Sequence, residues 1–254
     1  MKSLLRRGKT FGIVTTAVLL SFFAGSTSVF ALSQEQIKQK LDAVPVYLIT
    51  NEEGSPLTRS VPAEQNGQKA VTVAGVYMSQ QEAEAVITEL QSANNQDQRL
   101  TDLVKNLQVE VVPLGFIYQQ LKQSGNQPEP VVFALQPVKQ EVTAAKDLLR
   151  QSGEKVEQFP GVPVFVVRFA PDKGYVAIKS NADSKELIPM FLSKQDAQGL
   201  LNQVKPEFST AEIQVIDIDS VIETLEQKND DWFNQVVIVP SPESRKFLEK
   251  LPRQ

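Results

Sequence analysis

The side chains that carry most enzyme chemistry are missing: among 254 residues there is no histidine and no cysteine. That removes thiol nucleophiles, disulfides and thiolate metal sites. It equally removes the Ser-His-Asp triad and the imidazole general base. Carboxylates remain, 30 Asp+Glu in all. Asp217-Ile218-Asp219 and Asp230-Asp231 are candidate metal groups, but a carboxylate pair holds Mg²⁺ only with further oxygens around it. Asp219 reads instead as the N-cap of the helix after it. Ser152-Gly153-Glu154-Lys155 spells S-x-x-K, but the S-D-N and K-T-G elements that give this motif meaning are absent. No G-x-S-x-G elbow, P-loop or G-x-G-x-x-G occurs either. The expectation is a protein that is not an enzyme, with no cofactor and no metal site. A hydrolase using paired carboxylates is the alternative that composition leaves open.

Large apolar side chains at strand–helix junctions are the other candidates for function. They are Leu114, Phe116, Ile117 and Tyr118, then Met190 and Phe191, Val221 and Ile222, and Trp232 and Phe233. Trp232-Phe233 stands in polar company, between Asp230-Asp231 and Asn234, the context of a surface anchor for another chain. These ten are the expected partner-binding residues. Apolar junctions of this kind suit a groove that shields an extended or amphipathic segment of a client.

The elements that position these residues come in two copies. Val44-Pro45-Val46-Tyr47 recurs as Val162-Pro163-Val164-Phe165, and Met78-Ser79-Gln80-Gln81-Glu82-Ala83 as Leu192-Ser193-Lys194-Gln195-Asp196-Ala197. Val109 to Val112 recurs as Ile213 to Ile216, which places Asp217 on Pro113 and Asp219 on Gly115. Val131 to Ala134 pairs with Val236 to Val239, with Pro137 and Pro242 following. The blocks keep their order, the mark of internal duplication. β-branched runs predict strands, and Ala83, Val86, Ile87 and Leu90 fall at helical spacing behind a Ser79/Glu82 capping box, with Ser193/Asp196 a weaker one. Leu114, Ile117, Tyr118 and Leu121 form another helical stripe, matched by Ile218, Val221, Ile222 and Leu225. Helices are also expected over Ser33 to Leu41, Val138 to Gln151 and Glu243 to Leu251. Asn51 to Asn66 and Gly125 to Glu129 read as mobile loops.

Alternating strands and helices predict an α/β fold, with α+β as the variant, built from two pseudo-symmetric halves, each a small sheet with packed helices. The expected boundaries are 1–31, 32–152 for the first half, 153–161 for a linker and 162–254 for the second half. Residues 1–31 read as an export signal. Lys2, Arg6, Arg7 and Lys9 precede the apolar run Phe11 to Ala24, and Val29-Phe30-Ala31 offers a cleavage site. Without those four basic residues the chain has 22 Lys+Arg against 30 Asp+Glu, a net of −8 over 223 residues. Such an acidic chain is a poor match for nucleic acid, and no later segment is long and apolar enough to span a bilayer.

Gly75-Val76-Tyr77-Met78-Ser79-Gln80-Gln81-Glu82-Ala83, Val109 to Val112 running into Pro113-Leu114-Gly115, Val162-Pro163-Val164-Phe165 and the run Lys185 to Ala197 resemble the Tic twenty-two family. The likeness extends from about Gln34 to Leu251. In chloroplasts that family links the outer and inner envelope import machines. With a bacterial-type export signal, the resemblance implies a cyanobacterial member in the periplasm or thylakoid lumen. It further implies a chaperone or translocation factor that escorts precursor proteins, outer-membrane β-barrel proteins among them, to a membrane assembly machine. A structural adaptor for one folded partner is the remaining alternative.

Overall fold

The computed structural model describes residues 32–61, 71–93, 98–124, 131–170, 173–180, 184–228 and 230–250. The stretch expected to be an export signal and the loop expected over Gly125–Glu129 therefore lie outside the described residues. Ser33 starts α1 (Gln34–Asp42) with a full capping box: its Oγ accepts from the Gln36 N–H at 3.2 Å, and the Gln36 Oε1 accepts from the Ser33 N–H at 2.9 Å. Ile37 and Leu41, one turn apart, are buried.

The first sheet is built on β1 (Pro45–Thr50), antiparallel to β4 (Gln108–Pro113) on one side and to β3 (Val71–Tyr77) on the other. A short strand, β2 (Thr58–Val61), joins the same side of β3 further along. Strand β5 (Val131–Gln136) runs parallel along the opposite side. The second sheet repeats this plan. In it β6 (Pro163–Arg168) lies between β9 (Glu212–Asp217) and β8 (Glu186–Phe191), while β7 (Ile178–Lys179) and parallel β10 (Val236–Val239) also pair with β8. The chain is thus an α/β protein of two equivalent halves. Tyr47 faces Tyr77 where Phe165 faces Phe191. The Leu114 N–H donates to the Val44 carbonyl at 2.8 Å, as the Ile218 N–H does to that of Val162 at 3.0 Å.

Register corrects one block of the repeat. Phe133 stands opposite Ala74, and Val236 opposite Ile188. Because Tyr77 matches Phe191, Phe133 is the counterpart of Val236, and Pro137 matches Pro240 rather than Pro242. A two-residue slip leaves each side chain on the same face, so strand alternation in the sequence does not detect it. Two short strands went unread as well. β2 lies inside the expected Asn51–Asn66 loop, and its residues are exposed or half-buried, so no apolar face marks it.

Helices α2 (Gln80–Ser92) and α3 (Gln98–Lys105) cover the outer face of the first sheet, and α6 (Lys194–Val204) that of the second. Strand alternation splits the apolar residues between layers. Tyr47 and Ile49 point outward to Ala83 and Ile87, whereas Val46 and Leu48 point inward. Phe165 and Val167 point outward to Ala197 and Leu201, whereas Val164 and Val166 point inward. The inner residues of both halves form one shared core. Into it pack α1, α4 (Leu114–Ser124) and α7 (Ile218–Gln227).

The last helix of each half crosses to the other. α5 (Lys139–Gln151) follows β5 but packs on β6 and β9, with Ala145 fully buried there. α8 (Pro242–Lys250) follows β10, yet its Phe247 meets the Tyr47 ring edge-on, centroids 6.3 Å apart. Carboxylates stitch the crossing: Glu82 accepts from the Lys139 N–H at 3.0 Å, Glu141 from that of Lys194 at 2.9 Å, and Glu243 from that of Gln81 at 3.1 Å.

This crossing alters the expected caps. Ser79 does accept from the Glu82 N–H, at 3.2 Å, but the Glu82 carboxylate goes to α5 instead of closing the box. Ser193 makes no cap bond to its helix, and Asp196 is held by Arg245. Asp219 is not the N-cap either: α7 begins at Ile218, Asp217 occupies the cap position, and Asp219 sits exposed in the first turn.

Candidate partner-binding grooves

An open groove of about 460 Å³ lies where the two halves meet. Leu114, Ile117, Tyr118 and Leu121 of α4 form one wall, Phe133 and Leu135 of β5 another, and Ile222 of α7 a third, with Pro160-Gly161-Val162 at one end. α4 exists because its apolar stripe has a core to enter. Leu114 and Ile117 are buried in the shared core and expose only their edges to the groove floor. Leu121, at 41% exposed, is the part of the stripe left for a visitor.

Tyr118 and two charged groups brace the wall. The Tyr118 hydroxyl donates to the Glu226 Oε1 at 2.7 Å, and the Lys122 Nζ reaches the same oxygen at 2.6 Å. That ammonium also stands 5.5 Å from the Tyr118 ring centroid. Burial, reinforced by the adjacent carboxylate, pushes the Tyr118 phenol well above its ordinary range. Burial alone would raise Glu226, but the bonds from Lys122 and Tyr118 outweigh it and hold that carboxyl below its usual range. Tyr118 and Lys122 thus both grip Glu226 and clasp α4 to α7.

A smaller cleft, about 180 Å³, is lined by Met190, Val221, Trp232 and Phe233, with Tyr175 at its side. Trp232 sits in a 3₁₀ turn (Asp231–Gln235), its ring centroid 4.3 Å from Phe233 and 5.3 Å from Tyr175. Trp232 is half-buried and Phe233 fully buried, so this cleft is an aromatic cluster with one open edge.

The structure therefore gathers Leu114, Ile117, Tyr118 and Ile222 at the first groove and Met190, Val221, Trp232 and Phe233 at the second. Phe191 belongs to neither, since it faces the outer core under α6. Phe116, 40% exposed, points away from both. Sequence reading passed over Leu121, Phe133 and Leu135. Leu121 was on the α4 stripe and so was findable, whereas the β5 residues are indistinguishable from ordinary core by pattern. Among the described residues no group of three Asp or Glu side chains is placed to hold a metal ion.

A model of the Tic22-like family matches residues 9–250. The chain belongs to that family. Among solved structures, Anabaena Tic22, titled protein transport, is 57% identical, with a TM-score of 0.83 over 88% of this chain and 99% of that one. Tic22 from Plasmodium falciparum, 19% identical, superposes with a TM-score of 0.61 over 84% of this chain and 96% of its own, a likeness of fold. No curated protein matched the sequence. All the motifs that carry the resemblance fall inside the span matched to the Tic22-like family. Among the described residues no helix is long and apolar enough to cross a membrane.

Proposed function

We propose that this member of the Tic22-like family is a non-enzymatic transport factor of an exported compartment, periplasm or thylakoid lumen. It shields segments of precursor proteins, outer-membrane β-barrel precursors among them, and hands them to a membrane assembly machine. The observation that carries this reading is the groove at the junction of the halves, apolar on its walls and charged at its rim. A surface of that kind takes up amphipathic or extended segments by covering their apolar side chains. The protein-transport title of the 57%-identical Anabaena structure supports the same class of role. The basic, apolar, small-residue order of residues 1–31 supports export.

Light scattering tests the proposal. An unfolded outer-membrane β-barrel protein, diluted from denaturant, aggregates more slowly in the presence of stoichiometric protein. Ile222→Asp, which places a charge on the groove wall, weakens that protection. Unchanged aggregation in the presence of the wild-type chain would sink the reading.

A further inference from the structure

The duplication itself says what the large groove is shaped to receive. α1 sits against α4, α7 and β10, with Ile37 and Leu41 buried. Exchanging the halves turns α4 into α7, α7 into α4, and β10 into β5, and these are the three elements that line the groove. The fourth part of its lining, Pro160-Gly161-Val162, matches Asp42-Ala43-Val44, the point where α1 ends and its strand begins. The groove is the second copy's counterpart of the α1 seat. No helix fills it because the chain reaching Val162 comes from α5, on the opposite face of the second sheet, and spends residues 152–162 on that passage.

Two details define the occupant. In the filled seat Lys40 leans over the free edge of β10, its Nζ donating to the Asn234 carbonyl at 3.0 Å and to that of Val236 at 2.9 Å. The corresponding carbonyls in the other half are those of Val131 and Phe133, on an edge of β5 that no described strand covers. At the closest approach of α1 to α4 stands Gly115, in contact range of the Asp42 carboxylate and the Lys38 carbonyl. Its counterpart at the groove is Asp219, an exposed carboxylate whose Cβ holds a seated helix further from α7 than α1 lies from α4. A second copy's α1 would set its Asp42 against Asp219, so charge disfavours that occupant.

We infer that the groove binds a short amphipathic helix of a partner protein, with two apolar anchors one turn apart, a lysine just before the second anchor and a basic residue where α1 carries Asp42. The inference rests on the reading that this groove holds other chains, and it names the class of segment held.

Two helix-stapled peptides test it: the Ser33–Ala43 sequence, and the same sequence with Asp42→Lys. Fluorescence anisotropy with the full chain should show the Asp42→Lys peptide binding about tenfold more tightly, the scale of one close charge pair. Asp219→Lys in the protein should reverse the order, and Ile222→Asp should abolish binding while circular dichroism stays native. Because the chain has no cysteine, Leu121→Cys should exchange with a peptide carrying an activated mixed disulfide, releasing its thiol leaving group, and so fix the location. Equal affinities, or a preference that Asp219→Lys does not move, would overturn the inference. Tighter binding of the unaltered α1 peptide would overturn the choice of a foreign helix. If neither peptide binds while the wild-type chain suppresses aggregation and Ile222→Asp weakens that suppression, the inference falls and the transport reading stands. Peptide binding without suppression upholds the helix seat and overturns the shielding role.

Discussion

Gly115 stands at a close crossing of α1 and α4. A Cβ there would run into the Asp42 carboxylate and the backbone carbonyl of Lys38, and a carbonyl in mid-helix has nowhere to move. Gly115→Ala must therefore push α1 off α4, at a cost of about 1–3 kcal/mol. Gly199→Ala on α6 is the matched control. Nothing lies within 4 Å of the added methyl, so helix propensity alone acts and the change stabilises by up to ~1 kcal/mol. Urea midpoints moving in opposite directions would bear this out; equal shifts would not.

Glu141 gives a second test on the same scale. Burial raises its carboxyl above the usual range, and Asp196 adds to the effect, although the N–H of Lys194 works against it. The folded state keeps this proton at a pH where the unfolded chain has already released it. That share of stability is whole below the ordinary glutamate range and is lost as pH rises through the elevated folded value. Glu141→Gln retains an acceptor for the Lys194 N–H and removes the titration. The variant should gain stability relative to wild type as denaturation is moved from acid to neutral pH. A constant difference across that range would contradict it.

At the scale of elements, the exchanged helices hold the halves together more than the linker does. Arg245 of α8 binds both oxygens of Asp196 on α6, at 2.7 and 3.0 Å, and also donates to the Pro240 carbonyl at 2.6 Å. The pair is bidentate and only partly exposed, so Arg245→Ala should cost about 1–2 kcal/mol. Its distinguishing effect is remote: hydrogen exchange should speed up in α8 and also under it at β1, where Phe247 covers Tyr47. Faster exchange confined to α6 would show that α8 is not the element released. None of this crossing is legible in the chain. The apolar positions of α5 have the same spacing whichever sheet they cover, and Glu82 reads as half of a capping box until its real partner is seen. The strands of both halves and their equivalence were legible because β-branched alternation is a local signal. The groove was legible only as a stripe on α4, since Ile117 and Leu121 differ in burial through what β5 and α7 do beside them.

At the scale of the whole molecule, the two sheets turn their inner faces to one common core, and each gives its last helix to the other. Neither half closes its own outer face, so the halves are not separable folding units. The only tryptophan, Trp232, reports on the second half, while far-UV circular dichroism reports on both; the two signals should trace one urea transition. A protease site inserted after Lys155, in the exposed stretch before β6, provides the sharper trial. Cutting there severs the covalent path between the halves but leaves the shared core and both crossed helices in place. The fragments should co-elute on gel filtration in native buffer and part only in denaturant. Fragments that separate without denaturant would mean that the crossed helices contribute too little to hold the halves, and the groove they frame would lose its fixed shape with them.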